Sequence, residues 1–173
     1  VTIAGTHHAQ HNPHAMLRQL VTVEDVPNSP MVADPLHKLD CCVVSDSGGA
    51  IVVTASVNAL RAPRRQMAYT TTKTALIGLV RAAALDLGAY GIRVNAVAPG
   101  AVMTEAFRSR IAARNAAGGP DRDTVEADLK AASPLGAIAS ESDIAHAAVF
   151  LASDWSKRIT GHMLPVDAGL GIA

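Results

Sequence analysis

The sequence predicts an α/β fold in which a short parallel sheet is flanked by helices, and three segments carry this prediction. Residues 50–55 form a continuous apolar, β-branched run, which is typical of a strand buried on both faces. Over 67–89, apolar residues recur at helical spacing and end at a pair of glycines. Residues 92–98 form a second apolar run that stops at Pro99-Gly100. Strands and helices that alternate in this way favour crossover connections within one parallel sheet.

The C-terminal third extends the pattern. Residues 103–135 are charged and alanine-rich, and a break at 118–120 divides them into two predicted helices. A further helix is expected over 143–153, and a last strand over 162–166. Pro165 lies within this strand, so it belongs at a sheet edge or is irregular, because proline cannot donate a ladder hydrogen bond.

Composition and charge exclude several classes of protein. The 173 residues carry 15 basic and 15 acidic side chains, so electrostatics give no reason to expect nucleic acid or a membrane as a partner. We expect neither a membrane span nor a secretory leader, since no segment has the required pattern. The only cysteines, Cys41 and Cys42, are adjacent, which excludes a disulfide framework and favours a cytoplasmic location.

Tyr69 and Lys73 are the first candidates for chemistry. They are four residues apart on the predicted helix, so their side chains share one face. An ammonium beside a phenol favours the phenolate, which makes a usable acid/base for interconverting an alcohol and a carbonyl. Ser56 ends the preceding strand, where a hydroxyl can face a substrate oxygen. Taken alone, the pair is more typical of a solvated helix surface than of a catalytic site.

The context of this pair resembles the catalytic segment of the short-chain dehydrogenases/reductases. The serine stands thirteen residues before Tyr69, as the family pattern requires. Residues 93–104 resemble the segment that the family places against the nicotinamide ring. Residues 159–169 resemble its C-terminal segment, with Ala168 where a second glycine is usual. Several motifs thus occur in family order over about 120 residues.

The resemblance implies a partial Rossmann-like fold and an NAD(P)-dependent oxidoreductase that acts on a small alcohol or carbonyl compound. It makes Tyr69 the general acid/base, Lys73 the group that tunes it and contacts the ribose, and Ser56 the group that holds the substrate oxygen. It also implies a variable lid over 105–133 and a homo-oligomer paired through the helix 67–89. The residues that would approach the nicotinamide end of NAD or NADP are Pro99, Gly100, Val102 and Thr104.

One family feature has no counterpart. A dinucleotide-binding fold carries a glycine-rich phosphate turn after its first strand. The first 47 residues contain a single glycine, Gly5, from which no such turn can be built. We therefore expect the N-terminal half of the dinucleotide-binding fold to be missing, and cofactor affinity to be the weak point of an enzymatic function.

Residues 20–50 instead resemble an internal stretch of thiolase-type acyl-CoA enzymes. This divides the chain into a thiolase-like irregular segment, 1–47, and a dehydrogenase-like catalytic half, 48–173. We hypothesise a fusion or rearrangement joined at the glycine pair that leads into the strand 50–55. Cys41 and Cys42 are not expected to be thiolase nucleophiles, because small buried thiols are commoner.

A cluster of histidines near the N-terminus raises the question of a metal. His7, His8, His11 and His14 could share one side of a helical turn, but Pro13 interrupts a helix there. No acidic residue or cysteine lies nearby to complete a site, so no metal site is predicted.

Three functions therefore stay open. The first is an oxidoreductase with Ser56, Tyr69 and Lys73 as its catalytic set. The second is a non-catalytic folded remnant that serves as an oligomeric module without cofactor binding. The third, weaker, is an acyl-CoA-binding role for the N-terminal part. Binding of a dinucleotide would separate the first from the second.

Overall fold

The computed structural model describes residues 49–172, which fold into a parallel sheet with helices on both faces. The elements in chain order are β1 (Ala50–Thr54), a 3-10 helix (Val57–Ala59), α1 (Met67–Gly88), β2 (Arg93–Pro99), α2 (Glu105–Ala116), α3 (Arg122–Ala132), α4 (Glu141–Ala152), a second 3-10 helix (Asp154–Ser156) and β3 (Met163–Val166). The predicted α/β class is confirmed. The predictions for Cys41, Cys42, the histidine cluster and the thiolase-like segment lie outside the described residues.

The three strands are parallel and follow one another in the order β1-β2-β3. Thr54 is paired with Val97, and Pro99 with Val166, so all three strands end at the same edge of the sheet. In a parallel sheet this carboxyl edge is where ligands bind. Exposed Pro165 lies in β3, at one side of the described sheet, as its missing N–H requires.

Two apolar clusters fix the helices to the sheet. On one face α1 buries Val80 and Leu87 against Val53 and neighbouring residues of β2. On the other face Leu151 of α4 packs with residues of β1 and β2. Because both faces are covered, the strands are apolar without alternation. Full burial of a side chain such as Leu87, which is 0% exposed, contributes roughly 1.5–3 kcal/mol.

Most element boundaries match the predictions, and the start of α4 is corrected. The helix predicted from residue 143 begins at Glu141, because Ser140 is its N-cap. Asp143 N–H donates to Ser140 Oγ (3.2 Å), and Ser140 N–H donates back to the Asp143 carboxylate (2.8 Å). This reciprocal capping satisfies two backbone donors. The hydrogen bonds from Ser140 hold the pKa of Asp143 below its usual range.

Within residues 49–172, no helix is both long enough and apolar enough to cross a bilayer.

Candidate active site

Ser56 follows directly from the end of β1. Ala55 N–H still donates to Val97 O (2.8 Å), so the ladder continues to the residue before the serine. Ser56 is buried and is the N-cap of the first 3-10 helix, where its Oγ accepts from Asn58 N–H (3.2 Å). Since this bond uses only a lone pair, the hydroxyl keeps its proton for donation to a substrate oxygen.

The loop between Ser56 and Tyr69 is closed upon itself. Asn58 Nδ2 donates to Gln66 Oε1 at 2.7 Å, which joins the two ends of the loop. Gln66 O in turn accepts from Thr70 N–H (2.8 Å), in the first turn of α1. These two hydrogen bonds connect the segment that begins at Ser56 to the first turn of α1, which carries Tyr69.

Tyr69 and Lys73 lie one turn apart at the start of α1, as the spacing predicts. Lys73 Nζ lies 5.8 Å from the centre of the Tyr69 ring, within the range of a cation–π interaction. It also donates to Thr54 O (3.2 Å), the last residue of β1. The ammonium thus connects the helix that carries the tyrosine to the strand end that carries Ser56.

A cavity of about 370 Å³ opens at the ends of β2 and the helices that follow it. All four residues predicted to approach the nicotinamide line it: Pro99, Gly100, Val102 and Thr104. Sequence analysis did not identify the rest of the lining, which is Phe107, Arg110, Glu141 and Ile144. The capping motif at the start of α4 is a signal that could have placed Glu141 at this edge.

Gly100 forms part of this cavity through its backbone. A Cβ built on Gly100 would lie 2.6 Å from the Cβ and 2.9 Å from the Cα of Asp167, so no larger residue fits without a shift. Its N–H donates to Val166 O (3.0 Å), which ties the turn after β2 to β3. The glycine therefore permits the backbones after β2 and β3 to approach closely.

The N-terminal ends of two helices lie at the cavity. Thr104 caps α2, and its Oγ1 accepts from Phe107 N–H (3.2 Å) while the residue lines the cavity. Glu141, the first residue of α4, also lines it. Helix N-termini carry partial positive charge and free N–H donors, which suit a polar acceptor such as a carboxamide oxygen.

The predicted lid corresponds to α2, α3 and their connection. A second cavity, of about 450 Å³, lies between these helices and residues 136–141. On α3, Glu126 accepts from Lys130 Nζ (2.8 Å) and lies 3.9 Å from Arg122. The hydrogen bond from Lys130 holds the pKa of Glu126 below its usual range. These i,i+4 pairs support α3, which has no fully buried side chain.

The motif 93–104 has two parts: the residues before Pro99 bind other segments of the fold, and residues from Pro99 onward line the cavity. Asn95 is 1% exposed; its Nδ2 donates to Ile159 O (2.8 Å), and its Oδ1 accepts from His162 N–H (3.1 Å). Arg93 donates to the last carbonyls of α4, at Leu151, Ala152 and Ser153. Only the residues from Pro99 onward reach the cavity.

The described residues fit the reactive end of a nicotinamide cofactor and not its whole length. The cavity and the close backbone at Gly100 lie at the carboxyl edge of the sheet, where β1 also ends, and suit the nicotinamide. Ser56, Tyr69 and Lys73 are not among the residues that line this cavity. Within 49–172 no glycine-rich turn joins a strand to a helix, so this part of the chain holds no cradle for the pyrophosphate. Nor does it hold a group of three or more His, Cys, Asp or Glu that could bind a metal ion.

Known proteins resemble this arrangement over most of the described chain. L-rhamnose 1-dehydrogenase (NAD(P)(+)) from Azotobacter vinelandii is 38% identical over 123 residues, which cover 71% of this chain and 44% of that protein. A short chain dehydrogenase family protein from Francisella tularensis has a similar structure, with a TM-score of 0.69, 36% identity, and coverage of 73% of this chain and 52% of that one. Carveol dehydrogenase from Mycobacterium avium in complex with NAD gives a TM-score of 0.67 at 37% identity, covering 73% and 47%.

The chain thus spans about half the length of the relatives that it matches. The family model described as enoyl-(acyl carrier protein) reductase matches residues 38–171, beginning ten residues before the boundary predicted at residue 48. Because this match extends over more than half of the chain and the relatives share its fold, the chain belongs to the short-chain dehydrogenases/reductases, in the family that this model describes.

Proposed function

We propose that the protein is an NAD(P)-dependent oxidoreductase that interconverts an alcohol and a carbonyl compound, with Ser56, Tyr69 and Lys73 as its catalytic set. The observation that carries this proposal is the position of Lys73, whose Nζ is 3.2 Å from Thr54 O and 5.8 Å from the Tyr69 ring centre. One ammonium thereby connects the tyrosine to the strand that ends at the serine. Such a connection has a clear use in acid/base chemistry at a carbonyl oxygen.

Each of these residues has a distinct task during oxidation of an alcohol. Ser56 donates a hydrogen bond from its hydroxyl to the substrate oxygen and orients it, while one lone pair of its Oγ accepts from Asn58 N–H. Tyr69, as phenolate, accepts the proton of the substrate hydroxyl, and the Lys73 ammonium stabilises that phenolate. The oxidised cofactor, when bound, would supply the acceptor for the hydride that leaves the carbon bearing this hydroxyl group. In the reductive direction Tyr69 returns the proton.

The residues that would hold the reactive end of NAD or NADP are Tyr69 and Lys73, toward the ribose, and Pro99, Gly100, Val102 and Thr104, toward the nicotinamide. The 370 Å³ cavity, which half-buried Gly100 lines, supports the assignment to the nicotinamide end. The name of the Azotobacter relative, which includes NAD(P)(+), and the NAD complex of carveol dehydrogenase support the choice of cofactor class.

Cofactor binding is the direct test. Titration of NADH and NADPH, followed by the fluorescence of the nucleotide, is expected to show saturable binding to the full chain. Replacing Lys73 by methionine should weaken binding roughly ten-fold, because a charged hydrogen bond to the ribose is lost. Lys157→Met is the matched control, since Lys157 is exposed beyond the end of α4 and should bind as the wild type does.

No binding up to millimolar cofactor would contradict the proposal and favour the alternative, a folded oligomeric module without cofactor. Equal weakening by both lysine variants would indicate a general charge effect and would contradict the role of Lys73.

A homo-oligomer is part of the proposal. Leu85 of α1 is 83% exposed, although it lies on the longest helix of the described residues. Burial of such a side chain between two copies of α1 would account for an apolar residue on that face. Leu85→Lys is expected to shift the protein toward the monomer in light scattering coupled to size-exclusion chromatography. Asp86→Lys, at the adjacent exposed position, controls for added charge; an unchanged mass in the Leu85 variant would contradict this interface.

We retain as a proposal the division into a thiolase-like segment, 1–47, and a catalytic half, 48–173, in a cytoplasmic protein. Its support is the resemblance of residues 20–50 to thiolase-type enzymes; that segment, except for its last two residues, lies outside the described part of the chain. The family match from residue 38 overlaps its end. Sequencing of the source locus tests the fusion: a continuous gene without thiolase or dehydrogenase remnants nearby would contradict it.

A further inference from the structure

The turn that follows β3 is held in shape by one carboxylate. Asp167 Oδ1 accepts from Gly169 N–H (2.9 Å), and Oδ2 accepts from Gly171 N–H (2.7 Å). Both acceptor oxygens therefore bind backbone donors of the same turn, residues 167–171. Asp167 itself is half-buried at the carboxyl edge of the sheet.

This turn does not adopt its conformation by local preference alone. Ala168 has a φ of 54° and Gly169 a φ of 88°, so two consecutive residues lie in the left-handed region. A side chain disfavours that region, and Ala168 has one. The two hydrogen bonds to Asp167 offset the free-energy cost of this conformation, and without them we expect the turn to change its backbone conformation.

The turn contacts three other segments of the described chain, at or next to the candidate site. Leu170 O accepts from Arg61 Nη1, in the loop between Ser56 and Tyr69. Ala168 O accepts from Leu135 N–H (3.2 Å), in the connection between α3 and α4. The Cβ of Asp167 lies 2.6 Å from where a Cβ on Gly100 would be, so the turn also packs on the backbone of the cavity.

We propose that Asp167 is a positioning residue: by holding the turn 167–171, it sets the spacing between the Ser56–Tyr69 loop and the cavity at Gly100. This inference rests on the proposed function, because it assigns a task in that reaction to a residue that touches neither substrate nor cofactor. A displacement of about 1 Å between reacting groups can lower a rate roughly a hundred-fold. Substrate and cofactor affinity depend less steeply on the same spacing.

The test compares Asp167→Ala and Asp167→Asn in the full chain. The alanine variant is expected to lower kcat roughly ten- to hundred-fold with KM for the cofactor within about two-fold. The asparagine variant keeps an acceptor for Gly169 N–H and places an amide against Gly171 N–H, so its kcat should lie between those of the wild type and the alanine variant. Asp154→Ala, at an exposed position beyond the end of α4, is the matched control and should leave kcat unchanged.

Amide hydrogen exchange gives a readout that does not require turnover. The amides of Gly169, Gly171 and Leu135 should exchange faster in Asp167→Ala than in the wild type, and Asp154→Ala should not change them. Gly171→Ala serves if Asp167→Ala fails to fold, because a Cβ there would lie 2.7 Å from Asp167 Oδ2 and displace one bond without removing the charge.

Unchanged exchange at these three amides would show that Asp167 does not hold the turn. Faster exchange with an unchanged kcat would show that the turn does not position the site, and would overturn the proposal while leaving the proposed function intact. A wild-type chain that neither binds cofactor nor turns over substrate overturns the proposed function and, with it, the task of Asp167 in the reaction; the exchange rates then still decide whether the carboxylate holds the turn.

Discussion

Replacing Tyr69 by phenylalanine is expected to lower kcat by roughly 10²–10⁴-fold, the usual contribution of a positioned acid/base. The substitution removes only the hydroxyl, so the ring that lies 5.8 Å from Lys73 Nζ keeps its place. The Kd for NADH should rise by less than about ten-fold, because the Tyr69 hydroxyl is only one of the proposed contacts to the reactive end of the cofactor. Turnover is measured on a panel of alcohols, ketones and sugars with both cofactors, and the Kd is taken from nucleotide fluorescence.

Tyr90→Phe is the matched control, because Tyr90 lies beyond the opposite end of α1 and is 42% exposed. Its kcat should equal that of the wild type. Equal activity in Tyr69→Phe and the wild type would contradict the role of this tyrosine. Loss of activity together with loss of cofactor binding would indicate a disturbed site in place of a missing proton carrier.

Asn95→Ala is expected to lower the free energy of unfolding by roughly 2–5 kcal/mol, because it empties the site of a buried side chain and removes two of its hydrogen bonds. The side chain is 1% exposed and bonds both Ile159 O and His162 N–H, which joins β2 to the segment before β3. Urea denaturation followed by circular dichroism measures the change.

A substitution at an exposed asparagine distinguishes the effect of burial from the effect of losing an amide side chain. Asn115 also donates its Nδ2 to a backbone carbonyl, that of Gly119 (3.0 Å), but on the surface at the end of α2. Asn115→Ala should lower the free energy of unfolding by less than about 1 kcal/mol. Similar losses at both positions would contradict a special role for burial at Asn95.

Much of the fold was predictable because its signals are local. The β-branched run before Ser56 and the run that ends at Pro99 became β1 and β2, since only buried parallel strands are apolar on both faces. The predicted helix 67–89 is observed as Met67–Gly88. The start of α4 was placed too late because the capping residue, Ser140, was not recognised as the signal of its first turn.

The positions of the candidate residues were predictable where a short motif carries them, and their roles stay predictions. Spacing places Tyr69 and Lys73 on one face of a helix, and the structure brings Lys73 to the end of β1. The residues after β2 predicted to approach the cofactor do line the cavity.

Other parts of the site depend on contacts distant in sequence. The hydrogen bond from Arg61 to Leu170 O joins residues 109 positions apart. The side of the cavity formed by Glu141 and Ile144 depends on how α4 packs on the sheet. No local pattern encodes such pairings, so sequence reasoning could not find them.

The Arg93 guanidinium also affects how α4 is oriented on the sheet. It holds the C-terminal end of α4, whose other end carries Glu141 and Ile144 at the cavity. A helix of 12 residues is about 18 Å long, so a tilt of about 10° at Arg93 would move the opposite end by about 3 Å. That displacement is as large as a water molecule. We therefore expect a substitution at Arg93 to change the width of the cavity at the opposite end of α4.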